Sequence, residues 1–210
     1  MSIDKKKKSK LPQKDELTPG GIKTVNAFIS LLKKKEFDKI TTAEIAKVSG
    51  VNESLIYKYF GSKRELLHTV LFYYTNDFVN NILLKLKDKK SSLDKLRIII
   101  WEHINLFQND LVFAKILLLE VRNYPGYYHS KTYGVIKKYT MITKEIIEDG
   151  KKNNEIRKDL SSWVIMQIIM GGIEHLCMPA LLFKKYRSVD DLTSEFCEIL
   201  FKGIRKGKST

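Results

Sequence analysis

The chain predicts an all-α fold, and three observations carry that expectation. Apolar residues recur three and four positions apart along nearly the whole of its 210 residues. Helix start and stop signals fall between these runs: Ser, Thr and Asn caps, Gly50, and the pair Pro125-Gly126. No alternation of period two runs long enough to make a strand, and no internal repeat is visible.

Residues 1–14 hold six Lys and one Asp, a local charge of +5, and lack the apolar core of a signal peptide. They read as a flexible basic arm, either a solubilising tail or a contact to DNA. Thr18-Pro19 opens the first helix, with Ile22, Val25, Ile29 and Leu32 as its expected inner stripe. Thr41 and Glu44 then form a capping box, with Ile40 placed to staple onto Ile45. Gly50 supplies a left-handed stop, Asn52 caps the next helix, and Ser62 with Glu65 caps the one after.

Two short helices joined by a tight turn are the layout of a helix-turn-helix, whose second helix lies in the DNA major groove. On that second helix Ile56 and Phe60 point inward, while Glu53, Ser54, Tyr57 and Lys58 share the outer arc. A long helix follows Ser62, and further helices fit 93–107, 111–123, 131–153, 162–183 and 189–204. The expected organisation is an arm at 1–14, a DNA-binding head at 15–66 and a helical body at 67–210.

A net charge of +14 favours a polyanionic partner. Cys177 and Cys197 sit in apolar helical patterns without metal or redox spacing, and His68, His103, His129 and His175 are scattered. With no phosphate loop and no nucleophile elbow, neither an enzyme nor a metal or cofactor site is expected. The longest apolar run, 163–173, is too short to cross a bilayer. The chain therefore reads as a soluble cytoplasmic protein with no membrane partner.

The elements Thr42…Ile45-Ala46, Gly50-Val51, Ile56-Tyr57-Lys58-Tyr59-Phe60 and Ser62-Lys63 closely resemble the amino-terminal motif of the TetR family of bacterial regulators. The resemblance implies a three-helix head on a larger ligand-binding and dimerisation body. It places the contacts to a double-stranded operator at Thr42, Asn52, Glu53, Ser54, Tyr57, Lys58, Tyr59 and Lys63. Thr42, Tyr57 and Lys63 would hold phosphates, and Ser54, Tyr57 and Lys58 would meet base edges. Two departures stand out: Glu36 before Phe37, where Gly is common, and Glu53-Ser54, where Lys or Arg with Gly is common. An acidic residue repels phosphate, so Glu53 is expected to face a cytosine amino group or water.

The family further implies a homodimer, its last two helices pairing with their symmetry mates. Physics agrees, because one recognition helix reads only a few base pairs. In the body, Trp101, Phe107, Tyr133, Ile136, Tyr139, Met170 and Met178 are large apolar residues, with His103, Arg122 and His175 among them. That mix suits an apolar small molecule with one anionic end, or an ordinary helical core. The segments 119–122, 147–150 and 155–160 resemble the branch that senses fatty acyl-coenzyme A. The expected function is a ligand-released repressor; the alternative is a helical lipid- or partner-binding protein whose head no longer reads DNA.

Overall fold

A computed structural model describes residues 17–206; the arm expected at 1–14 lies outside the described residues. The chain divides into two compact units, with the boundary between Tyr73 and Tyr74, later than the 66/67 division expected from sequence. That boundary falls inside a single helix, α4 (Lys63–Leu86).

The first unit contains α1 (Pro19–Leu32), α2 (Thr42–Ser49), α3 (Glu53–Phe60) and the start of α4. Each cap read from the sequence is made. The Thr18 hydroxyl accepts from the Gly21 N–H at 3.2 Å, Thr41 from Glu44 at 3.1 Å, Asn52 from Ser54 at 2.9 Å and Ser62 from Glu65 at 3.1 Å. Gly50 ends α2 at φ 66°, a conformation that favours glycine. The capping box at Thr41 is half made, because the Glu44 carboxylate turns to Lys35 at 2.5 Å. The core is Phe28, Ile40, Ile45 and Ile56, with Phe28 edge-on to Phe37 at 6.3 Å. The inner face of α1 keeps Val25 and Leu32 of the expected stripe and adds Thr24, Phe28 and Leu31, while Ile22 is 45% exposed, since 24, 28 and 31 satisfy helical spacing equally well and carry the larger ring.

The second unit runs from Tyr74 through α5 (Ser92–Asn109), α6 (Leu111–Lys115), α7 (Lys131–Lys152), α8 (Ser162–Phe183) and α9 (Val189–Ile204). Helix α5 is its axis, packed against α7, α8 and α9. The helix expected over 111–123 is interrupted: after α6 come a π-helical turn, Ile116–Glu120, and 3-10 turns at Val121–Asn123 and Pro125–His129. Helix α8 is 22 residues long with a mean hydropathy of 1.5, so it has the length and composition of a membrane span that the run 163–173 lacks.

Glu155, in the connection between α7 and α8, closes the amino end of α5. Its carboxylate accepts from the Ser91 hydroxyl, from the Ser92 N–H at 3.1 Å and from the Leu93 N–H at 3.4 Å. Burial works to raise its pKa, but these donors outweigh burial and hold the carboxyl below its usual range. A depressed folded pKa contributes stability above the ordinary carboxylate range, and that stability is lost as pH falls through the folded value. Glu155→Gln should therefore cost about 1 kcal/mol at neutral pH, a cap's worth reduced by solvent screening. Thermal melts of parent and variant should converge as the pH falls below the folded value; a gap that does not change with pH would mean the carboxylate's charge does not matter.

Candidate nucleic-acid interface and ligand cavity

The head presents the outer arc of α3 because Ile56 and Phe60, four apart, commit the opposite arc to the core. Tyr57 is 48% exposed, and Ser54 and Lys58 are also exposed. Thr42 lies at the start of α2, and its hydroxyl donates to the Glu53 carboxylate while lying 3.1 Å from the Tyr57 hydroxyl. Thr42, Glu53 and Tyr57 thus form one polar cluster across the helix pair. The Ser54 hydroxyl donates to the Asn52 side chain at 2.9 Å, so those two serve the cap of α3.

Two expected phosphate or base contacts are turned elsewhere. The Lys63 ammonium donates to the carbonyls of Phe37 at 2.9 Å and Ile40 at 2.7 Å, and sits 4.3 Å above the Phe37 ring. A cation at a helix start would suit phosphate, but two inward carbonyls compete for the same protons. Tyr59 is half-buried, and its hydroxyl end would lie 3.2 Å from a Cβ built at Gly20, so it packs on the start of α1.

In the body a cavity of about 110 Å³ opens among α4, α5, α7 and α8. Of the residues named from sequence, His103, Phe107, Arg122, Ile136, Tyr139 and Met170 line it. The others do not. Trp101 turns to α9, its indole N–H donating to Asp190 at 2.7 Å. Tyr133 joins an aromatic cluster with Tyr127 and Tyr128, with ring centroids 5.6 and 5.2 Å away. His175 is exposed and Met178 only half-buried. Helix geometry is the reason: His175 follows the cavity residue Ile173 by two positions, and Trp101 precedes His103 by two, which places each on the far arc.

Sequence reasoning missed Thr75, Phe78, Phe113 and above all Glu174. Glu174 is the only Asp, Glu, Lys or Arg in the 22 residues of α8, and that isolation was the available signal. It holds Arg122 through two hydrogen bonds, 2.8 and 2.6 Å. That hydrogen bonding raises the Arg122 pKa, so the guanidinium is both charged and already partnered.

The remaining polar lining is neutral. His103 Nδ1 lies 2.8 Å from the Ile99 carbonyl, which can only accept, so the proton sits on Nδ1. Burial lowers the imidazole pKa and keeps it neutral. Tyr139 stacks on it with centroids 5.4 Å apart. The hydroxyls of Tyr139 and Thr75 are buried without a hydrogen-bond partner; Thr143, near Tyr139, donates instead to the Tyr139 carbonyl at 3.3 Å. Both cysteines are fully buried, on α8 and α9, and burial pushes their thiols up to about 12 for Cys177 and about 11 for Cys197.

Comparisons with known proteins agree with this architecture. The fatty acid metabolism regulator protein of Bacillus subtilis (strain 168) is 24% identical over 186 residues, 89% of this chain and 96% of that protein. The nucleoid occlusion factor SlmA of Cronobacter sakazakii is 36% identical, but over 62 residues, 30% of this chain and 31% of its own length. Among solved structures, the transcriptional regulator FadR of Bacillus subtilis in complex with stearoyl-CoA has a TM-score of 0.77 at 23% identity, covering 88% of this chain and 99% of its own. The fatty acid degradation regulator FadR of Bacillus halodurans has a TM-score of 0.78 at 21% identity, covering 91% and 99%. These two likenesses establish the fold. Residues 26–70 match the model of bacterial regulatory proteins of the tetR family, and residues 74–203, more than half the chain, match the carboxy-terminal region of YsiA-like proteins. The chain therefore belongs to the TetR family of DNA-binding transcriptional regulators.

Proposed function

We propose that this regulator is a repressor that grips a palindromic operator as a homodimer in the cytoplasm and lets go when an amphipathic acyl compound, such as a fatty acyl-coenzyme A, fills the body cavity. It would work by binding alone, without catalysis. The observation that carries the reading is the cavity itself, apolar over most of its wall, with Arg122 and Glu174 among its residues. The stearoyl-CoA complex of the similar Bacillus subtilis FadR supports the ligand class. At about 110 Å³ the cavity is well below the roughly 300–1,000 Å³ of typical ligand pockets. An acyl chain must therefore widen it, and its preference for the wider state is the energy available to shift the protein off DNA. The π-helical turn at Ile116–Glu120, which contributes Leu117 to the wall, is a natural place for that change.

Arg122 enters this scheme already paired, so an anionic head group would have to displace Glu174. Glu174→Gln should lower the effector concentration needed for DNA release by about threefold to tenfold, and Arg122→Ala should raise it by a similar factor. Release of a mapped operator, titrated with acyl-coenzyme A of increasing chain length, measures both. Release by none of these compounds would reject the effector class, and unchanged midpoints in both variants would leave Arg122 as scaffold.

A second copy is the proposed cover for the outer faces of α8 and α9. Trp163, Ile168 and Phe183 are 58%, 53% and 67% exposed, and Ile199 is 76% exposed, too much apolar surface to leave in water. A lipid partner fits less well, because α8 also packs on α5 and α7 and carries Glu174.

A further inference from the structure

Within the DNA-binding head on which the proposed repression rests, we propose that Glu53 sets the direction of a hydrogen-bond relay, Tyr57 to Thr42 to Glu53. The Tyr57 oxygen then meets DNA as an acceptor and selects a base carrying an exocyclic amino group. Counting protons gives this result. A carboxylate has none to give, so the bond between Thr42 and Glu53 uses the single hydroxyl proton of Thr42. The 3.1 Å contact between Thr42 and Tyr57 must then be made by the Tyr57 proton. What Tyr57 has left to offer outward is lone-pair density.

An acceptor beside a carboxylate is a poor match for a phosphate oxygen, itself an acceptor and negatively charged. In the major groove the matching donors are the N4 amino group of cytosine and the N6 amino group of adenine. Tyr57 is 48% exposed on the arc of α3 that also presents Ser54 and Lys58, so its oxygen is available to a base edge. Thr42 and Glu53 are positioning residues: they decide which kind of hydrogen bond Tyr57 can make without touching the base.

The test is selection of operator half-sites from a duplex library randomised at each position, using the full chain and the variants Tyr57→Phe, Thr42→Val and Glu53→Ala. Circular dichroism melts confirm that each variant folds. The parent should prefer adenine or cytosine over guanine or thymine at one half-site position by about threefold to tenfold, the scale of a single hydrogen bond. All three variants should lose that preference and keep those at other positions. Glu53→Ala should also bind random duplex more tightly, since a negative charge is gone. A preference that persists in Tyr57→Phe or Glu53→Ala overturns the relay. So does a Glu53→Ala variant that loses affinity equally for every sequence, which would make Glu53 a scaffold residue. A parent that selects no sequence at all overturns the DNA-binding reading beneath it.

Discussion

Lys63→Ala should cost the head about 2–3 kcal/mol of stability, and DNA binding should fail because the head opens, not because a phosphate contact is lost. The ammonium bridges the carbonyls of Phe37 and Ile40, tying the start of α4 to the segment between α1 and α2. Each charge-assisted bond is worth roughly 1.5–3 kcal/mol, discounted here because Lys63 is only half-buried. The cation above Phe37, a ring that is 5% exposed, adds a smaller part. A unit this small has little stability to spare. Hydrogen exchange of the α1–α3 amides, measured beside operator affinity, separates the two roles. Faster exchange in the variant supports the bridge. Unchanged exchange with weakened binding would return Lys63 to the phosphate contact expected from the family motif.

If the proposed dimer forms through α8 and α9, Ile199→Glu should convert it into a folded monomer and weaken operator binding about a hundredfold or more, the loss expected when two linked contacts become one. Ile199 is 76% exposed in the single chain, so the substitution should leave the stability of an isolated subunit within about 0.5 kcal/mol. Sedimentation velocity reports the assembly, and a melt at low protein concentration reports the subunit. A variant that still sediments as a dimer would place the subunit contact on another face, and a parent that sediments as a monomer would reject the dimer.

Local signals proved the most legible. The range 189–204 expected for the last helix matches α9, and its Ser188 cap, like the four head caps, joins partners only two or three residues apart. The bridge from Lys63 reaches carbonyls 23 and 26 residues away, which no local pattern announces. The break inside 111–123 was invisible for another reason. Residues 116–119 are Ile-Leu-Leu-Leu, with no Gly or Pro to mark a change of winding, so the π-helical turn follows from packing. In α8, apolar on most sides, periodicity could not choose which arc faces the cavity; this is how His175 and Met178 came to be named and Glu174 passed over.

The depth at which Cys177 and Cys197 are held has a chemical consequence. Burial pushes both thiols well above their usual range, so almost none is ionised at neutral pH. The thiolate is the species that oxidants and alkylating reagents attack, so the native protein should ignore peroxide and disulfide stress. Any labelling by a thiol reagent then reports the moments when α8 and α9 part from the core. The two sulfur atoms are a built-in clock for the opening of the body, readable at native concentrations without a denaturant.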